Sequence, residues 1–130
     1  MNADKSMPIL IVDDYQTMVR IMRNLLKQIG YENVDEASNG AEALEKINTK
    51  AYSLIISDWN MEPVTGLELL TKLRTGTHNA DTPFIMVTAE SKTDNIIAAR
   101  KAGVSSYIVK PFNAQTLKAR IDAVCASRAA

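Results

Sequence analysis

Ile9-Leu10-Ile11-Val12-Asp13-Asp14 is the stretch on which the fold turns. Four consecutive apolar residues, mostly β-branched, suit a strand covered on both faces, as strands of a parallel sheet are. The run stops abruptly at two acids. Beyond them Met18, Ile21, Met22, Leu25, Leu26 and Ile29 fall at three- and four-residue steps, the period of an amphipathic helix. Gly30 is placed to end that helix in a left-handed cap.

The same unit then recurs. Asn33 to Ala37 reads as a second strand, near an edge because it carries Asp35 and Glu36, and Ala41, Leu44 and Ile47 mark a helix after it. Leu54-Ile55-Ile56 is a third strand ending at an acid, Asp58, with a helix through Leu67, Leu70 and Leu73. Phe84 to Val87 ends at Thr88 and precedes a helix through Ile96, Ile97 and Ala99. Tyr107-Ile108-Val109 ends at Lys110-Pro111 and leads into a helix through Leu117, Ile121 and Val124. Five strands alternating with five helices predict an α/β fold with one parallel sheet and helices on both faces.

The 130 residues fit one domain, large enough to fold without a disulfide or structural metal. Residues 1–7 read as a short flexible leader and 8–130 as the domain. Fifteen basic and fifteen acidic side chains leave no net charge, which speaks against a freestanding nucleic-acid-binding domain. Cys125 is the one cysteine, so no internal disulfide forms, in keeping with a reducing cytoplasm. The unbroken apolar runs, Ile9 to Val12 among them, fall far short of the ~20 residues that cross a bilayer, and the N-terminus has no signal-peptide pattern. His78, in a polar segment, reads as a surface residue.

In an open parallel sheet, ligands bind beyond the carboxyl ends of the strands. Asp13, Asp14, Asp58, Thr88 and Lys110 all belong to that edge. Each alone has a commoner use, as a helix cap, a turn residue or a solvated lysine; their convergence is what points to chemistry. Three crowded carboxylates repel unless protons or a cation neutralise them, and all-oxygen ligands favour a hard ion such as Mg²⁺ over zinc. An aspartate can take a phosphoryl group as an acyl phosphate. A metal ion and Lys110 would balance the added charge, and Thr88 would donate a hydrogen bond.

Val12-Asp13-Asp14, Ser57-Asp58-Trp59-Asn60-Met61, Val87-Thr88-Ala89-Glu90 and Lys110-Pro111-Phe112 together resemble the receiver domains of two-component response regulators. The likeness runs from about Pro8 to Ala126. Thr17-Met18, Arg23 to Lys27, Asn95 to Ala99 and Tyr107 to Phe112 resemble the single-domain chemotaxis members of that family. The resemblance implies a flavodoxin-like (βα)5 fold with strand order 2-1-3-4-5. It implies that a chemotaxis-type histidine kinase phosphorylates Asp58. Mg²⁺ or Mn²⁺ would sit on Asp13, Asp14, Asp58 and the Asn60 backbone carbonyl, with Asp13 acting mostly through water. Thr88 and Lys110 would hold the phosphoryl oxygens. Thr88 and Tyr107 would form the switch, and a cis bond before Pro111 would aim Lys110. A face including Ile96, Arg100, Tyr107, Lys118 and Arg120 would meet the flagellar motor switch.

On this reading the protein is a cytoplasmic monomer, a possible substrate of a dedicated phosphatase, and no enzyme beyond assisting its own phosphorylation and dephosphorylation. It binds no nucleic acid and inserts in no membrane. Two other readings share the core residues: a phosphate sink or relay intermediate without motor output, and, more remotely, a small phosphatase with an aspartyl nucleophile. Glu62-Pro63 stands where the family commonly has proline directly after Met61, and Ser105-Ser106 where glycine is frequent.

Overall fold

The computed structural model describes residues 5–61, 64–76, 80–88, 93–110 and 112–129. Glu62, Pro63, His78, Ala89, Glu90 and Pro111, used in the sequence reading, lie outside the described residues, as do residues 1–4. Strands and helices alternate in the order β1 (Ile9–Val12), α1 (Gln16–Ile29), β2 (Val34–Ala37), α2 (Gly40–Thr49), β3 (Leu54–Asp58), α3 (Gly66–Thr75), β4 (Phe84–Thr88), α4 (Thr93–Ala102), β5 (Ser106–Val109) and α5 (Ala114–Ala129). The strands form one sheet, ordered β2-β1-β3-β4-β5, with every neighbouring pair parallel. This is the expected flavodoxin-like arrangement. The chain runs outward from β1 to β2 and returns to β3 on the other side of β1, so the topological switch point lies between β1 and β3.

Successive side chains of a strand point to opposite faces, and the buried residues divide accordingly. Ile9, Ile11, Leu54, Ile56, Ile85 and Val87 pack with Met22 and Leu26 of α1 and Leu117 and Ile121 of α5. Leu10, Val12, Ile55, Phe84 and Met86 pack with Ala43 and Ile47 of α2 and Leu69, Leu70 and Leu73 of α3. Each face therefore has its own core, which is why β1, β3 and β4 carry continuous apolar runs that lack alternation. Leu54→Ala, at a fully buried site, should lower the unfolding free energy by about 2–5 kcal/mol, measured by urea denaturation. An unchanged midpoint would mean that the first core is not the principal one.

Local signals place the helix ends. Gly30 has φ 113° and donates its N–H to the Leu26 and Lys27 carbonyls, closing α1 as expected. Asn39 caps α2 by accepting from the Glu42 N–H, and Thr65 and Glu68 form a reciprocal capping box at the start of α3. The apolar stripe of α1 differs by one position from the sequence reading. Val19 is buried and Ile21 is 45% exposed, because Ile21 sits about 100° round the helix from Met22, at the stripe's margin. Met7, assigned from the sequence to the leader, is buried in the first core. Cys125 is half-buried near the end of α5 and packs against the same cluster. No described helix is long and apolar enough to cross a membrane.

Candidate phosphoacceptor and metal site

β1 and β3 are adjacent in the sheet, and their ends carry the site. Asp13 continues the ladder past β1 by donating its N–H to the Ala37 carbonyl at 3.2 Å. Its carboxylate Oδ1 accepts the Tyr15 N–H at 2.9 Å. Asp13 thus braces the turn into α1, whose N-cap is Tyr15 with no side-chain cap bond, so the capping its residue type suggested is not what it does; Oδ2 is left for the site. Asp58 is the last residue of β3. Its neighbour Trp59 donates a backbone hydrogen bond to Val87 of β4 at 3.0 Å, which holds the exit of the strand against the sheet. Asp13 and Asp58 are 5% and 7% exposed, whereas Asp14 is open to solvent. One carboxylate oxygen from each of the three lies within 4.8 Å of the others.

Lys110 follows β5 and crosses to this cluster. Its backbone N–H bonds the Thr88 carbonyl at 2.7 Å, and its ammonium stands 3.1 Å from Asp58 Oδ1 and 3.9 Å from Asp13 Oδ2. Thr88, 1% exposed, ends β4 on the same edge. Burial pushes the Asp13 carboxyl up to about 6; the Tyr15 N–H opposes this and the nearby Asp58 charge adds to it. Burial also raises Asp58, against the pull of Lys110.

The donor set fits a hard divalent cation. Three carboxylates face one ammonium, so the ionised cluster carries two uncompensated negative charges, two of its carboxylates are desolvated, and all three offer oxygen only. A groove of about 380 Å³ beside Asp14, lined by Trp59, Asn60, Met61 and Thr65, leads to the cluster and leaves Asn60 exposed.

The family model for the response regulator receiver domain matches residues 9–122. The chain is a response regulator receiver domain. This receiver is 46% identical over 118 residues to the chemotaxis protein CheY of Pseudomonas aeruginosa, covering 91% of this chain and 95% of that protein. It is 44% identical over 121 residues to the chemotaxis protein CheY-3 of Vibrio cholerae, covering 93% of each. Among solved structures, chemotaxis response regulator CheY4 of Vibrio cholerae superposes with a TM-score of 0.84 at 33% identity, over 92% of this receiver and 98% of that chain.

The residues expected on the output face lie on α4, β5 and α5. Ile96 and Tyr107 are half-buried, and Arg100 is exposed. Lys118 is exposed but its ammonium is 2.7 Å from Asp122, so its charge is largely met within α5. Arg120 lies with Asp81, Pro83, Ser105 and Ser106 around a separate groove beside the start of β5. Sequence reading missed the ring contact between Trp59 and Tyr107, edge-on with centroids 6.4 Å apart. It also missed Gly66, which packs against the Asp58 carbonyl. Neither carries a local signal, since each is set by tertiary packing around the exit of β3.

Proposed function

We propose that this receiver is a chemotaxis response regulator that accepts a phosphoryl group on Asp58 from a histidine kinase and then binds the flagellar motor switch. The observation that carries the phosphoacceptor reading is Asp58 itself, buried at the topological switch point, 3.1 Å from the Lys110 ammonium and within one carboxylate cluster with Asp13 and Asp14. The motor reading is supported by the relatives named as chemotaxis proteins.

In the transfer, an Asp58 carboxylate oxygen bonds to phosphorus. The phosphorus–nitrogen bond to the donor imidazole breaks, and its electron pair stays on that nitrogen. Asp13, Asp14, Asp58 and the Asn60 carbonyl would hold a divalent cation, Mg²⁺ or Mn²⁺, which supplies positive charge to the phosphoryl oxygens when bound. The Lys110 ammonium, already on Asp58 Oδ1, passes to a phosphoryl oxygen. The Thr88 hydroxyl donates to another, and its movement releases space that the half-buried Tyr107 ring takes up. Burial helps, because charge-assisted hydrogen bonds are stronger away from water. The chain assists only its own phosphorylation and dephosphorylation. It acts as a cytoplasmic protein, consistent with one free cysteine.

The test is binding of a peptide from the motor-switch N-terminus, with and without Mg²⁺ and beryllofluoride, which stands in for the phosphoryl group. Trp59 fluorescence reports loading in the same sample. Affinity should rise several-fold on loading. Loading with unchanged affinity would remove the motor output and identify a phosphate sink or relay. Many-cycle hydrolysis of a phosphomonoester would instead identify a phosphatase.

A further inference from the structure

Among the described residues the positive-φ glycines are Gly30 and Gly103, so Gly66, the first residue of α3, is not there for a left-handed backbone. Space explains it. A methyl group added at Gly66 would stand 2.3 Å from the Asp58 carbonyl oxygen, 2.8 Å from Met86 Sδ and 3.0 Å from Trp59 Cα. The methionine sulfur is the end of a flexible side chain and can yield. The other two atoms are backbone, belonging to the acceptor residue and the one after it. Gly66 also donates its N–H to the Trp59 carbonyl at 2.9 Å, so α3 is tied to the same peptide against which it is pressed. Trp59 is pinned from the other side by its hydrogen bond to Val87. The Asp58–Trp59 peptide is thus gripped between β4 and the first turn of α3.

We propose that Gly66 is a positioning residue for the cation site. By seating α3 directly on the Asp58 carbonyl, it sets the backbone that carries the Asp58 carboxylate and the Asn60 carbonyl, and so makes the site selective for a small ion with strict geometry. The inference rests on the reading above that these two groups are metal ligands. The physical reason is the difference between the two common hard cations. Mg²⁺ demands near-ideal octahedral geometry at about 2.0–2.1 Å, whereas Ca²⁺ accepts six to eight oxygens at about 2.3–2.6 Å in flexible arrangements. Relieving a 2.3 Å clash requires the Asp58–Trp59 backbone and the first turn of α3 to part by several tenths of an ångström or more, and the Gly66–Trp59 hydrogen bond passes that shift to the peptide. That displacement exceeds what Mg²⁺ ligation tolerates and lies within what Ca²⁺ ligation absorbs.

Thr65 supplies a milder route to the same place. Its hydroxyl accepts the Glu68 N–H at 3.1 Å and its own N–H is accepted by the Glu68 carboxylate at 3.2 Å, which fixes the turn on which Gly66 sits. Thr65→Ala loosens that turn without adding an atom.

The experiment is calorimetric titration of Mg²⁺ and Ca²⁺ into the full chain, as wild type, Gly66→Ala, Thr65→Ala and Leu54→Ala, with urea unfolding in chelator run on each. Gly66→Ala should lose about tenfold or more in Mg²⁺ affinity and no more than about twofold for Ca²⁺. Thr65→Ala should shift the Mg²⁺/Ca²⁺ ratio in the same direction by less. Leu54→Ala, which destabilises the other core, should leave the ratio unchanged. Equal losses for both ions, or a ratio that tracks stability across all variants, would overturn the proposal. If Gly66→Ala does not fold, an unshifted ratio in Thr65→Ala does so. A wild type that binds neither ion would instead refute the metal-site reading.

Discussion

Asp58→Asn is expected to lower phosphoryl acceptance from a histidine kinase by at least about a thousandfold, the scale on which loss of a nucleophile acts. The amide oxygen is a poor nucleophile, and the other carboxylates are less well placed: Asp13 is held through Oδ1 by the Tyr15 N–H and lies 3.9 Å from Lys110, against 3.1 Å for Asp58, and Asp14 is exposed. The same substitution should leave the fold intact. It removes one of three negative charges crowded within 4.8 Å, and Lys110 keeps Asp13 at 3.9 Å. In chelator, the unfolding temperature should therefore be no lower than that of wild type. The checks are transfer of labelled phosphate and thermal unfolding on one preparation. Retention of a hydroxylamine-sensitive label at the wild-type rate would show that another carboxylate is the acceptor.

The second large effect concerns Asp13, and here stability and metal binding oppose each other. Its carboxyl is raised from 3.8 to about 6 in the folded chain, chiefly by burial. A raised folded-state value means that the native protein holds this proton more tightly than the unfolded chain does. The associated stability is therefore fully present below about pH 4 and is lost as pH rises through about 6. Two units correspond to about 3 kcal/mol at most. Asp35 and Glu42 run the opposite way: hydrogen bonds from Lys50 and Ser38 respectively lower them, so their contributions are lost on acidification. The informative quantity is thus the difference between Asp13→Asn and wild type, since asparagine keeps the acceptor for Tyr15. In chelator, the variant should gain about 1–3 kcal/mol on wild type between about pH 4.5 and about pH 7.5. Saturating Mg²⁺ should reverse the order, because ligand binding to the native state stabilises it by mass action. Mg²⁺ affinity of wild type should itself climb over the same interval as the proton leaves. Urea unfolding at the two pH values, with and without Mg²⁺, measures all of this. A pH-independent difference between variant and wild type would mean that Asp13 is ionised throughout and the site is already solvated.

The elements were legible because their signals are local. A continuous apolar run ending at a polar residue identifies β1, β3 and β4, and Gly30 marks the end of α1. Five such units imply a parallel sheet, and a parallel sheet puts Asp13, Asp58, Thr88 and Lys110 on one edge whatever the strand order. Ile21 shows where local reading stops. Its residue type and spacing suit the apolar stripe, but it stands at the stripe's margin and stays 45% exposed, while Val19 is buried.

What the amino-acid sequence determined by itself was therefore the set of chemical groups and the edge on which they stand, since strand direction and residue order along the chain suffice for both. Tertiary structure decided how close they come. That β1 and β3 are neighbours brings Asp13 to Asp58, and the crossing of Lys110 to 3.1 Å depends on β5 lying beyond β4. Packing also decided the burial that raises both carboxyls, the edge contact of Trp59 with Tyr107, and the seat that Gly66 makes for the Asp58 carbonyl. These are contacts between residues distant in sequence, set by how two cores close on opposite faces of one sheet, and no local pattern encodes them.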